Sequence, residues 1–128
     1  MKKTILIPLF FLLIFSGFQC KKDTYLSGCI KGRLEIKGIC MNYVIKVVEG
    51  TVDPSLIETG WQDPATGIHY QNVFALASPC SFPDNISEGE EFYFRIVAED
   101  NKTCAVCQAY RPIPSKNLKI AVVGNNCD

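Results

Sequence analysis

From Gly28 to Lys37 apolar and polar side chains alternate, with Ile30, Leu34 and Ile36 on one face and Lys31, Arg33, Glu35 and Lys37 on the other. A period of two predicts a strand with one buried and one wet face. Gly38 marks a turn, and Cys40 to Glu49 predicts a second strand with Met41, Tyr43, Ile45 and Val47 sharing a side. Gly50 closes this hairpin. Asp53-Pro54-Ser55 is a helix-start signature, because Asp53 can cap free amides and Pro54 suits the first helical position. Gly60 stops that helix within about two turns, so it is a short connector. Trp61 to Tyr70 predicts a hairpin on a type I turn, in which Pro64 presets the backbone and Gly67 takes the left-handed conformation. Its outgoing strand runs to Leu76, with Ile68, Tyr70, Phe74 and Leu76 on a common face.

Two prolines make Ser78 to Pro83 a loop, pinned by Cys80 and Phe82, since proline supplies no ladder donor. Glu90 to Ala98 is the most regular strand, with Phe92, Phe94, Ile96 and Ala98 facing one way. Glu99 to Lys102 turns the chain, and Cys104 to Tyr110 is expected to return as a strand. Arg111-Pro112-Ile113-Pro114 interrupts it, and Asn117 to Val123 resumes with Leu118, Ile120 and Val122 alternating. Five or six strands, one short helix and short connections predict an all-β domain. The expected package is a small five- to six-stranded barrel, an OB-like Greek key, with a two-sheet sandwich as the alternative. An immunoglobulin-like sandwich fits less well, with too few strands and no Cys–Trp–Cys spacing across the domain.

The first twenty residues follow a different pattern. Lys2 and Lys3 precede an almost unbroken apolar run from Ile5 to Phe15, and after Cys20 the composition switches to Lys21-Lys22-Asp23-Thr24. The run is short for a bilayer span and has the length of a signal-peptide core. Gly17-Phe18-Gln19-Cys20 resembles the cleavage box of bacterial lipoproteins, through its small-residue character and its cysteine. Cys20-Lys21-Lys22-Asp23 is similar to the start of many mature Gram-negative lipoproteins. The resemblance covers only this segment. It implies that residues 1–19 are a signal peptide, that Cys20 carries the acyl chains, and that the mature chain sits in the cell envelope, at the outer membrane. Residues 20–27 then read as a lipidated cysteine and polar tether, and 28–128 as a single domain.

Charge and cysteine content sharpen this picture. Without Lys2 and Lys3, 11 of the 13 basic side chains remain against 13 acidic ones. No basic run exceeds Lys21-Lys22, which argues against a nucleic-acid partner. Seven cysteines are an odd number for an exported chain; setting Cys20 aside for lipid leaves six, and an oxidising compartment makes three disulfides the default. Cys29 and Cys127 flank the first and last strands and would staple the chain ends. In an extended strand, Cys104 and Cys107 lie roughly 10 Å apart and cannot join each other, so they would pair separately with Cys40 and Cys80. A turn at Ala105-Val106 would instead allow Cys104–Cys107 and leave Cys40–Cys80.

Candidate chemistry is sparse. A redox Cys-x-x-Cys needs its first thiol at a helix N-terminus, and no helical period follows Cys104. A zinc site using these cysteines with Cys40, Cys80 or His69 lacks the second close ligand pair that such sites use. His69 is the sole histidine and no nucleophile-elbow motif accompanies it. Glu88, Glu90 and Glu91 flank Gly89 as a solvated turn would. The expectation is therefore a non-enzyme without cofactor or metal, held to a membrane by lipid on Cys20, and binding a protein or glycan partner. An OB-like domain would present Tyr43, Trp61, His69 and Tyr70 as its ligand face. Two further readings stay open: an inhibitor of an extracellular enzyme acting through Ala77 to Pro83 or Arg111 to Ser115, and a thiol oxidoreductase through Cys104 and Cys107.

Overall fold

A computed structural model describes residues 25–127. The Cys20 expectation and the signal segment lie outside those residues. The described chain is all-β. Its strands are β1 (Ile30–Lys37), β2 (Tyr43–Glu49), β3 (Glu58–Gln62), β4 (His69–Leu76), β5 (Glu91–Ile96), β6 (Asn117–Leu118) and β7 (Ile120–Gly124). They form one seven-stranded sheet in the order β3-β4-β2-β1-β5-β7, with β6 pairing β4. The spatial series β5-β1-β2-β4 is a Greek key, since β5 returns beside β1 after three antiparallel neighbours.

The closed barrel does not form. β6 and β7 belong to one chain segment whose start bonds β4 and whose remainder bonds β5, so the sheet curls back on itself. The link to β4 is parallel and two residue pairs long, Ala75 with Asn117 and Leu76 with Leu118. Pro112 and Pro114 remove donors just upstream, and at Lys119 the backbone turns its carbonyl to the amide of Val97, just past β5. Ser78, buried to 1% exposure, fills the seam: its hydroxyl accepts from the Ile120 amide and donates to the Ile120 carbonyl.

The main core is built as the alternation predicts. Ile30 and Leu34 of β1, Ile45 of β2, Phe74 of β4, Phe92, Phe94 and Ile96 of β5, and Leu118 and Ile120 pack together on the inner face. A bulge between Leu34 and Ile36 divides β1, so that Ile36 instead joins Val44 and Val73 in a second cluster. Neighbouring side chains on a strand point to opposite faces, which places Val44 and Val73 behind Ile45 and Phe74. Trp61 and Tyr70 cover that outer cluster, and both halves of β4's later stretch, Val73 to Leu76, are buried. Asn72 at φ 56° marks the break between the exposed and buried halves of β4, a left-handed position that asparagine tolerates.

Several local expectations are corrected. The connector helix is a single 3-10 turn, Pro54–Leu56, with the Asp53 carboxylate accepting from the Ser55 amide at 2.9 Å. Cys40 and Met41 are not strand; both adopt positive φ (54° and 59°) in the tight turn before β2. Cys104 to Tyr110 is not a strand either. Residues 101–114 carry no regular structure, and every side chain from Asn101 to Tyr110 is exposed. With Ala105 and Ala109 among its alternate positions and two prolines ahead, the stretch has no face large enough to bury. The tether also ends sooner than expected: Tyr25 bridges Val97, the Leu26 amide donates to the Ile96 carbonyl at 2.8 Å, and the Ser27 hydroxyl accepts from the Ile96 amide.

Candidate functional site

The cysteines pair as Cys29–Cys127, Cys40–Cys107 and Cys80–Cys104, with Cα separations of 5.8, 4.9 and 5.5 Å. The first joins the start of β1 to the end of β7. The other two attach one exposed segment to two different places, the turn before β2 and the loop after β4. Cys104 and Cys107 are thus bonded to separate partners and not to each other, which removes the dithiol couple a redox motif would use.

That attachment builds one wall of a groove. Its lining comes from the end of β1 and the following turn (Ile36 to Ile39), the β3–β4 turn (Ala65, Thr66, Ile68), Tyr70, Glu88 and the segment Tyr110 to Pro112, enclosing about 620 Å³. The volume lies within the range of small-ligand and peptide sites. Ile39, Ile68 and Tyr110 are 61%, 52% and 82% exposed, an unusual gathering of large apolar side chains in open water.

A buried ion pair fixes these walls. Asp63, at 0% exposure, accepts from Arg111 Nη2 at 2.7 Å, from the Ala65 amide at 2.9 Å and from the Thr66 hydroxyl at 3.1 Å. Burial pushes the Asp63 carboxyl up, but the bonds from Ala65, Arg111 and Thr66 outweigh it, and the net shift is below the usual carboxylate value. The sequence Asp63-Pro64-Ala65-Thr66-Gly67 explains the local geometry: the aspartate caps its own turn, and Gly67 takes φ 74° at its end. Gly38 makes the second close approach. A Cβ there would stand 2.7 Å from Arg111 Cδ and collide with the Asn42 carbonyl, so only glycine lets the turn after β1 pass this close to Arg111. Asn42 in turn donates to the Ala109 carbonyl at 3.0 Å, a further tie between turn and segment.

The same segment is also tied to β3 at two points. Arg111 is held at Asp63, and the Ser115 hydroxyl is held by the Glu58 carboxylate, at the two ends of that strand. Pro112 and Pro114 lie between these two ties and offer no backbone donor to a ladder.

The expected ligand face is not one surface. Tyr43 is half-buried, edge-on to Phe82 at 5.7 Å on the rim of the main core, and burial raises its phenol's pKa. Trp61 and Tyr70 face each other across β3 and β4 at 5.8 Å and pack on the outer cluster. Burial first, then the Asp63 and Glu35 carboxylates, raise the Tyr70 phenol's pKa. Only Tyr70 lines the groove; His69 is exposed beside it on β4, opposite Gln62. The two loops considered for an inhibitor are turned inward at Ser78, Phe82 and Pro114. Glu88 accepts from the Lys37 amide and Glu91 pairs with Lys31 at 3.1 Å, so these carboxylates do not converge on a common point. Among the described residues no three histidine, cysteine or acidic side chains gather as a metal site would.

Ile39, Ile68, Tyr110, Asp63 and Arg111 were not legible as a site. The Asp-Pro-x-Thr-Gly turn was a usable signal for Asp63; nothing in the sequence joins it to Arg111. No known family, no curated protein and no solved structure matches this chain.

Proposed function

We propose that this chain is a lipid-anchored lipoprotein of the cell envelope, at the outer membrane, whose β domain is non-catalytic and binds a protein or glycan partner in the groove. The N-terminal pattern supports the anchor: a basic start, a short apolar core and a small-residue box ending in Cys20. Cysteine parity agrees with it, because six described cysteines form three bonds and leave Cys20 free for lipid. The observation that carries the binding reading is the exposure of Ile39, Ile68 and Tyr110 around one groove. Exposed apolar groups cost solubility, and here two disulfides and a buried ion pair hold them in place. Such pre-organisation lowers the ordering cost of binding.

Photo-crosslinking in the source cell tests it. A photoreactive side chain at Tyr110 and one at Ile39 should give the same discrete adduct, and one at exposed Thr51 should give none. Absence of adducts at both groove positions, or equal adducts at all three, contradicts the groove. Ten consecutive exposed residues on a two-disulfide frame, Asn101 to Tyr110, favour one second reading, an inhibitor of an extracellular enzyme. An adduct joined to an enzyme's active-site cleft distinguishes it.

A further inference from the structure

The first described residues are fixed to the domain. Tyr25 bridges Val97, Leu26 and Ser27 bond Ile96, and the Arg95 guanidinium lies 5.2 Å from the Tyr25 ring centre. Their side chains nevertheless face water, Tyr25 at 45% and Leu26 at 62% exposure. Cys20 precedes Tyr25 by five residues, which span at most roughly 17 Å when fully extended. The groove sits at the other end of β1, whose eight residues rise roughly 25 Å from Ile30 to Lys37.

Resting on the lipid-anchor reading, we propose that the Tyr25–Leu26 end of the domain lies against the bilayer and that the groove points away from it. Tyrosine and leucine suit the headgroup boundary, one as an amphipathic ring and one as an apolar wedge. Of the charges placed near them, Lys119 and Glu99 balance and the charge of Arg95 remains. Arg95 is drawn to the Tyr25 ring, and Lys119 stands 3.7 Å from the Glu99 carboxylate. Contact is therefore mainly apolar and weak for a free domain. A tether of five residues makes it intramolecular, and the high effective concentration populates it. Fixing residues 25–27 to β5 then sets which end faces lipid, and the partner is met at the distal end.

The chain has one tryptophan, Trp61, packed with Ile36 at the groove end of β1, and it serves as the internal reference. The full mature chain is incorporated into phosphatidylethanolamine–phosphatidylglycerol vesicles carrying brominated acyl chains. Emission is compared between the parent and Leu26→Trp, a change at an exposed side chain whose backbone bond is kept. The introduced indole should lose about half of its emission to the bromolipid, as a group buried ~5–10 Å into the headgroup boundary does. Trp61 should lose almost none. Equal or stronger quenching of Trp61 overturns the orientation. An introduced indole quenched only by water-soluble acrylamide overturns the contact, leaving the anchor intact. A mature chain that lacks acyl mass on Cys20 and does not float with vesicles overturns the anchor reading, and this inference with it.

Discussion

Between Ile30 and Ile96 each strand is bonded to a neighbour and contributes side chains to a core, whereas Asn101 to Pro114 joins no ladder and is attached by two disulfides, Arg111 and Asn42. The first region gains its shape from many small, cooperative contacts. The second gains it from a few strong ones at fixed points. A surface that must expose large apolar groups suits the second kind of construction, because a covalent bond holds a segment in place without burying it. The groove lies where the two regions meet, with strand ends and turns on one side and the crosslinked segment on the other.

The largest effects should come from changes that act on the sheet as a whole. Replacing Cys29 and Cys127 with serine opens a bond spanning 98 residues of sequence. The chain-entropy model puts that loss at about 4 to 5 kcal/mol, read as a lowered denaturant midpoint with the sheet's circular dichroism unchanged below the transition. Phe94→Ala empties a site at 0% exposure between Phe74 and Phe92 and should cost about 4 kcal/mol, in one cooperative transition. If either change melted only part of the chain, the sheet would not be the single unit described.

Next comes the joint between the regions. Asp63→Asn keeps the side chain's shape but leaves Arg111 without its counter-charge, at about 2 to 3 kcal/mol, since Arg111 is partly exposed and some of the buried-pair cost is relieved by water. Because the Asp63 carboxyl is lowered in the folded protein, its contribution is fully present above the ordinary carboxylate value of about 4 and is lost as pH falls through the folded value. The parent should therefore lose stability below about pH 4 more steeply than Asp63→Asn does. Identical acid limbs in chemical denaturation would place the ionic joint elsewhere.

The smallest global effect is expected in the crosslinked segment. Cys40→Ser with Cys107→Ser removes a bond across 67 residues, for which the entropy model alone gives about 4 kcal/mol. The freed stretch has no ladder, so it gains freedom in the folded state as well, and the net loss should be about half of that. Hydrogen exchange should speed up at the Asn42 turn and the Arg111 end, with β1, β2 and β5 unchanged.

This division also governs what the sequence reveals. Alternation read Ile30, Leu34, Phe92, Phe94, Ile96, Leu118 and Ile120 as inward, because a period of two leaves a mark on every second residue. The bulge that turns Ile36 to the outer cluster leaves no such mark, nor does the left-handed backbone at Cys40 and Met41. Alternation misled at Cys104 to Tyr110, where small side chains imitate a strand but offer nothing to bury. The seven-stranded sheet stays open where a barrel was expected, because its closing pair is two residues long, a limit set by Pro112, Pro114 and the change of partner at Lys119. Tyr43, Trp61, His69 and Tyr70 share a sequence neighbourhood but not a surface, and the groove is assembled from residues far apart in the chain. Asp63 and Arg111 meet across 48 positions, a relation no local pattern encodes.

The crosslinks on which the groove depends can be read directly. Proteolysis of the mature chain without reduction, followed by mass analysis of the linked peptides, should yield Cys29–Cys127, Cys40–Cys107 and Cys80–Cys104 and no free thiol among these six. A Cys104–Cys107 bond accompanied by Cys40–Cys80, or several free thiols, would detach the segment from both anchors, dismantle the groove, and return thiol chemistry to consideration.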